Sequence, residues 1–197
     1  MKNKIIFLDI DGPLLPQKMH YFGKNRNLNK FDENYQTPLF DPWGVRALNL
    51  WARYSKAQIV LCTHWLKTWD INTVKEIMQL NGLGLDYHID CVTPKKMSSY
   101  KCNEIVWWLR DHPECENFIV VEDDHSCEQI EKMTQDLPVS GKWIKVDYAN
   151  GISIENFHDG CVQLNIDHEL LMFEEFGVPI LSPKEKEARN TLLRSLI

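Results

Sequence analysis

Near its start the chain runs Ile5-Ile6-Phe7-Leu8 and then stops abruptly at Asp9-Ile10-Asp11-Gly12. An apolar run of this length, bounded by a turn signal, reads as a strand covered on both faces, as in a parallel sheet walled by helices. Such a strand has no place for a carboxylate, so the two aspartates mark where the chain leaves the core. Side chains alternate along a strand, so Asp9 and Asp11 are expected to point one way and Ile10 the other. Two like charges at that spacing repel unless a cation or a proton lies between them. Gly12 allows a sharp turn at positive φ. The plain alternative is a strand closed by an acidic turn, since short motifs also arise by chance.

The same grammar returns along the chain. Gln58-Ile59-Val60-Leu61-Cys62 is a second buried strand ended by Thr63-His64, and Phe118-Ile119-Val120-Val121 is a third, ended by Glu122-Asp123-Asp124. A weaker strand is expected from Tyr87 to Val92 and another from Trp143 to Val146. Helical patterns fill the gaps. One is opened by Asp41-Pro42 and carries Val45, Leu48, Leu50, Trp51 and Tyr54. A second runs from about 67 to 80 and closes at Asn81-Gly82. A third starts at Lys101 with Ile105, Val106, Trp108 and Leu109, and a fourth spans about 126–135. Strands alternating with helices make βαβ units. The expected fold is therefore α/β, a doubly wound (Rossmann-like) parallel sheet with helices on both faces.

Residues 1–160 read as the main domain and 161–197 as a helical extension expected to pack on it. The extension holds an amphipathic segment, His168 to Phe176, and a capping box at Ser182-Pro183-Lys184-Glu185. Pro13 to Phe40 is too long for a structureless loop in a compact domain and reads as a flap or small insertion.

Composition narrows the function classes. A net charge of −6 and a pI near 5.6 argue against a large nucleic-acid footprint, while leaving room for a local basic patch. The six cysteines form no C-x-x-C pair, which speaks against zinc and for reduced thiols in a cytosolic compartment. No stretch resembles a signal-peptide core or approaches the ~20 apolar residues of a membrane span, so a cytoplasmic protein without a membrane partner is expected.

In open parallel sheets ligands bind outside the carboxyl ends of the strands, where strand order reverses. Asp9 and Asp11, Thr63, and Asp123 and Asp124 all fall at such ends, on three separate strands. Lys101 opens the helix leading to the third of them, a position where the helix dipole prefers an anion. One acidic turn is easily dismissed; three strand ends with matching chemistry point to a shared site.

These four segments resemble the haloacid dehalogenase-like (HAD) hydrolase superfamily from Ile5 to about Phe157. Asp9-Ile10-Asp11-Gly12 matches its first motif, and Ile59 to Thr63 its second. Lys101 matches the third, with Lys95 and Lys96 as rivals, and Val120-Val121-Glu122-Asp123-Asp124 matches the fourth. Thr63-His64-Trp65 and Lys145-Val146-Asp147…Gly151-Ile152 are similar to the capless branch of RNA-repair and polynucleotide-end phosphatase type. Pro13 departs from the Thr or Val usual after the first motif, which alters the turn but removes no catalytic group.

The resemblance implies a Mg²⁺-dependent phosphomonoester hydrolase working through an aspartyl-phosphate. It implies Asp9 as nucleophile and Asp11 as proton carrier, Thr63 and Lys101 as phosphate ligands, and a cation held by Asp9, the Asp11 carbonyl and Asp123 or Asp124. No large cap fits between Thr63 and Lys101, which implies an open site for a bulky phosphorylated substrate, a phosphoprotein or a polynucleotide end. A small-molecule phosphatase such as a nucleotidase is the alternative, and a non-catalytic phosphate-binding or regulatory module is the rival from another class. Around this core, His64 and His125 are secondary candidates. Lys18, Lys24, Arg26 and Lys30, interleaved with Tyr21, Phe22 and Tyr35, make either a phosphate- or base-contacting flap or a solvated loop. Trp107 and Trp108 read as core or interface fillers.

Overall fold

The computed structural model describes residues 3–22, 37–84, 87–92 and 100–179, together with 182, 184, 185 and 187. The sheet is all parallel, with five strands: β1 (Asn3–Leu8), β2 (Gln58–Leu61), β3 (Ile89–Cys91), β4 (Cys115–Glu122) and β5 (Ser140–Lys145). Their order in space is β3-β2-β1-β4-β5. The connecting helices are α1 (Pro42–Ser55), α2 (Ile71–Leu80), α3 (Lys101–Asp111) and α4 (Ile130–Met133), and α5 (Ile154–Gln163) follows β5. The chain winds outward from β1 in one direction, then jumps back across it to β4. Right-handed crossovers in opposite directions put helices on both faces, and the reversal leaves a crevice at the carboxyl ends of β1 and β4.

On one face, Ile5 and Phe7 of β1, Val60 of β2, and Phe118 and Val120 of β4 meet Cys102, Ile105, Val106 and Leu109 of α3 and Ile130 of α4. Phe7 stands edge-on to Trp108 and to Phe118, with ring centroids 5.3 and 5.7 Å away. Trp108 thus serves the core, whereas its neighbour Trp107 is exposed. Elsewhere α1 meets α5: Trp51 stacks on Phe157 and donates its indole N–H to the Phe157 carbonyl at 3.0 Å. Gly160 permits that approach, because a Cβ there would lie 2.5 Å from the Trp51 ring.

Several boundaries differ from those the pattern suggests, for local reasons. The second helix starts at Ile71, not near 67. Asp70 accepts the backbone N–H groups of Asn72 and Thr73, while His64–Lys67 form a separate 3-10 turn capped by Thr63. The expected helix over 126–135 shrinks to a 3-10 turn, His125–Cys127, and the short α4. Asp124 caps that turn, and the Thr134 hydroxyl donates back to the Ile130 carbonyl at 2.9 Å where α4 ends. β5 begins at Ser140, three residues before the apolar run, because the ladder with β4 starts at Asn117 opposite Ser140.

The chain divides into two compact units, Met1–Ile166 and Asp167–Ile197; α5 runs through position 160 and ends inside the first. In the second unit α6 (His168–Phe176) is capped by Asp167 and closed by Gly177, with Leu171 buried and Leu170 and Phe173 exposed. Ser182 and Glu185 make reciprocal capping contacts: the Ser182 N–H donates to Glu185 Oε2 at 2.8 Å and the Glu185 N–H to Ser182 Oγ at 3.4 Å. Among the described residues no helix is long and apolar enough to cross a membrane.

Candidate active site

Strand register builds the site. Leu8 lies opposite Leu61 of β2 and Val121 of β4. One step further, Asp9, Cys62 and Glu122 fall in one row, and alternation turns them to the face that carries Phe7, Val60, Val120 and α3. Backbone bonds hold the row in place: Asp9 N–H donates to the Val121 carbonyl at 3.1 Å and Cys62 N–H to the Leu8 carbonyl at 2.9 Å. Lys101, the first residue of α3, reaches over it. Its Nζ donates to Asp9 Oδ2 at 2.5 Å and to Glu122 Oε2 at 2.6 Å.

All three ionic groups are buried, with residue exposures of 5 % for Asp9, 8 % for Lys101 and zero for Glu122. Burial pulls the Lys101 ammonium down, but the carboxylates of Asp9 and Glu122 outweigh it and hold its pKa above the ordinary value. Burial and then the Asp9 charge push Glu122 well above the carboxylate range, against the pull of Lys101. Cys62 is likewise pushed up by burial and stays a neutral thiol.

Asp123 closes the cluster from above. Gly12, at φ +83°, turns the first loop under it: a Cβ at Gly12 would lie 2.5 Å from Asp123 Oδ1. The glycine is therefore required twice, by the turn and by the carboxylate against it. Burial raises the Asp123 pKa. Carboxylate oxygens of Asp9, Glu122 and Asp123 lie within 4.8 Å of one another. Three carboxyl groups crowd around one ammonium, and the donors are all hard oxygens. That set fits a hard divalent cation of the Mg²⁺ kind.

The other sequence candidates take varied places. Thr63 is buried at the end of β2, and its Oγ1 accepts the Trp65 N–H at 3.3 Å. Asp11 is partly buried beyond β1, in a backbone bridge with Leu15, while Ile10 is wholly buried. Asp124 is exposed and spends its carboxylate on the Ser126 N–H, 2.5 Å away, so of the adjacent pair only Asp123 joins the cluster. His64 is exposed at the mouth, and partial desolvation followed by the charge of Lys101 lowers its pKa. His125 is also exposed, with Nε2 3.2 Å from Lys145 Nζ. Lys18 pairs with Asp41 at 3.0 Å. Lys24, Arg26, Lys30, Tyr35, Lys95 and Lys96 lie outside the described residues.

Sequence reasoning passed over Glu122 as one more acid in a run. Its signal was present in the alternation: Phe118, Val120 and Glu122 share a face, so Glu122 falls on the side of the strand that enters the core.

The family model for the HAD domain in Swiss Army Knife RNA repair proteins matches residues 5–157. The chain belongs to this family. It is a hydrolase of the haloacid dehalogenase type, and the matched span runs from β1 into α5. Within this HAD domain all the groups described above fall inside the match, and the second compact unit falls outside it. No curated protein matches the chain.

Proposed function

We propose that this HAD domain is a phosphomonoesterase that transfers phosphate to Asp9 and acts on the end of a polynucleotide. The observation that carries the reading is the Lys101 ammonium, donating at once to Asp9 and Glu122 at the switch point of the sheet. A lysine so held does two things. It holds the Asp9 carboxyl group in one position, as a nucleophile must be held, and it sets a fixed positive charge where a phosphoryl oxygen would arrive.

In this reading Asp9 attacks phosphorus and the ester oxygen departs with a proton from Asp11. Asp11 then takes a proton from the water that cleaves the aspartyl-phosphate. Thr63, just past the end of β2, supplies a hydroxyl for a phosphoryl oxygen. Asp9, Asp123 and the Asp11 carbonyl would hold Mg²⁺, with Glu122 as a further oxygen ligand or a partner of Lys101. The ion would neutralise the repulsion between a carboxylate nucleophile and a phosphate dianion. The family's tie to RNA repair and the short run of chain between β2 and α3, in which the described residues form no element beyond a 3-10 turn, α2 and β3, favour a polynucleotide end over a phosphoprotein or a nucleotide.

The test is hydrolysis of nitrophenyl phosphate and of 3′- and 5′-phosphorylated oligonucleotides, with and without Mg²⁺. Rapid quench with labelled substrate should trap an acyl-phosphate in the wild type and none in Asp9→Asn. Mg²⁺-dependent turnover by Asp9→Asn at the wild-type rate would overturn the covalent mechanism.

A further inference from the structure

Just past the first loop the chain is pinned more firmly than a surface connection needs. Gly12 N–H donates to the Leu15 carbonyl at 3.2 Å, and after Pro16 the chain enters a 3-10 turn, Gln17–Tyr21. That turn is tied to the loop after β5: Gln17 N–H donates to the Tyr148 carbonyl at 2.8 Å and Lys18 N–H to the Ala149 carbonyl at 3.1 Å. The β5 loop is itself closed, with Gly151 and Asn150 N–H both donating to Asp147. The ion pair of Lys18 with the buried Asp41 clamps the same turn to the start of α1.

This cross-tied collar carries large apolar rings in water. Tyr21 is 72 % exposed, Phe22 59 % and Tyr148 48 %. Tyr148 sits beside Gln17, and Tyr21 follows Gln17 by four residues, roughly 8 Å along a 3-10 turn. All three stand on loops leaving the carboxyl ends of β1 and β5, the edge that carries Asp9. Exposed aromatics on a held backbone bind flat partners at little entropic cost, because the rings have few torsions to freeze.

We propose that Tyr21, Phe22 and Tyr148 form a stacking platform for the nucleobases next to the phosphorylated end of a single-stranded polynucleotide. The proposal rests on the polynucleotide-end reading above and names the residues that choose that substrate. Stacking is the means of recognition that the charge balance leaves open. A chain with net charge −6 is poorly equipped to grip a phosphate backbone electrostatically, whereas every base offers a π-face whatever the protein's charge.

The experiment compares the wild type with Tyr21→Leu, Phe22→Leu and Tyr148→Leu, and with the ring-keeping variants Tyr21→Phe, Phe22→Tyr and Tyr148→Phe. Substrates are a single-stranded oligoribonucleotide phosphorylated at its end, a phosphopeptide and nitrophenyl phosphate. The leucine variants should raise KM for the oligonucleotide by roughly 5- to 150-fold per stacked base lost, the range that base–aromatic stacking supplies. Nitrophenyl phosphate kinetics should be unchanged, and the ring-keeping variants should behave as wild type. In an Asp9→Asn background, the Kd of a fluorescent unphosphorylated oligonucleotide should rise in parallel and depend only weakly on salt. Leucine variants that leave oligonucleotide KM and Kd unchanged while the wild type hydrolyses it would overturn the platform alone. A wild type that hydrolyses nitrophenyl phosphate or the phosphopeptide but no oligonucleotide would overturn the polynucleotide reading, and the platform with it.

Discussion

Two rows of side chains lie one pleat apart on the same face of the sheet. In the first, Phe7, Val60 and Val120 are aligned by register and packed against α3 as apolar core. In the second, Asp9, Cys62 and Glu122 are aligned by the same register and meet Lys101, also from α3. The backbone is the same in both; only the side chains change, over about 7 Å of strand. The apolar row stabilises the fold by leaving water. The charged row spends part of that stability on desolvation and recovers it only while its charges are matched. The proposed site is thus made by continuing the core one residue too far, into the crevice where strand order reverses.

Substitution should tell most at the charged row. Asp9→Asn should reduce turnover to background, whereas no conservative change in the apolar row should alter kcat per folded molecule. Active-site titration alongside steady-state rates checks this. Asp11→Asn should slow hydrolysis of an alkyl or nucleotide ester by ~10²–10⁴-fold, the usual contribution of general acid catalysis. It should slow nitrophenyl phosphate far less, since that leaving group departs without a proton.

In stability the two rows should cost alike but respond differently to repair. Phe7→Ala should cost about 3–5 kcal/mol through lost burial and a cavity. Lys101→Met should cost about 3–5 kcal/mol by leaving the buried Asp9 and Glu122 carboxyl groups without their ammonium partner. Adding Glu122→Gln to Lys101→Met should recover much of that loss in urea melts, without restoring turnover. No change in the charged row should rescue Phe7→Ala.

Mg²⁺ sharpens the contrast further. With the ion at a hundred times its Kd, the wild type should gain about 2.7 kcal/mol of stability, and Asp123→Asn much less. The gain in Phe7→Ala should equal that of the wild type, because the apolar row holds no ligand. Thermal melts with and without the ion decide it. Smallest of all, Ile5→Val should cost only about 0.5–1.5 kcal/mol and leave kcat untouched.

Much of this was legible before any coordinates. The parallel α/β fold followed from short apolar runs alternating with helical patterns, and the family match agrees with the resemblance read from three strand ends and one helix start. Helix ends were less legible. Asp70 and Asp124 decide them through side-chain capping bonds that compete with the apolar pattern. Within the acidic run Glu122-Asp123-Asp124, residue type alone ranked the two aspartates first. The cluster instead takes Glu122 and Asp123, and Asp124 caps a turn.

By itself the sequence determined which segments are strands, where each leaves the core, and that Asp9, Thr63 and the acids after Val121 stand at those exits. Periodicity and turn chemistry act over a few residues, so a local string can encode them. Only the tertiary structure decided that Lys101 spans Asp9 and Glu122, that Asp123 rests on Gly12, and that the turn after Pro16 is tied to the loop bearing Tyr148. Those contacts join residues from 21 to 131 positions apart. They exist because β1 is paired on both sides and α3 crosses it, and no local pattern records which partners a strand will choose.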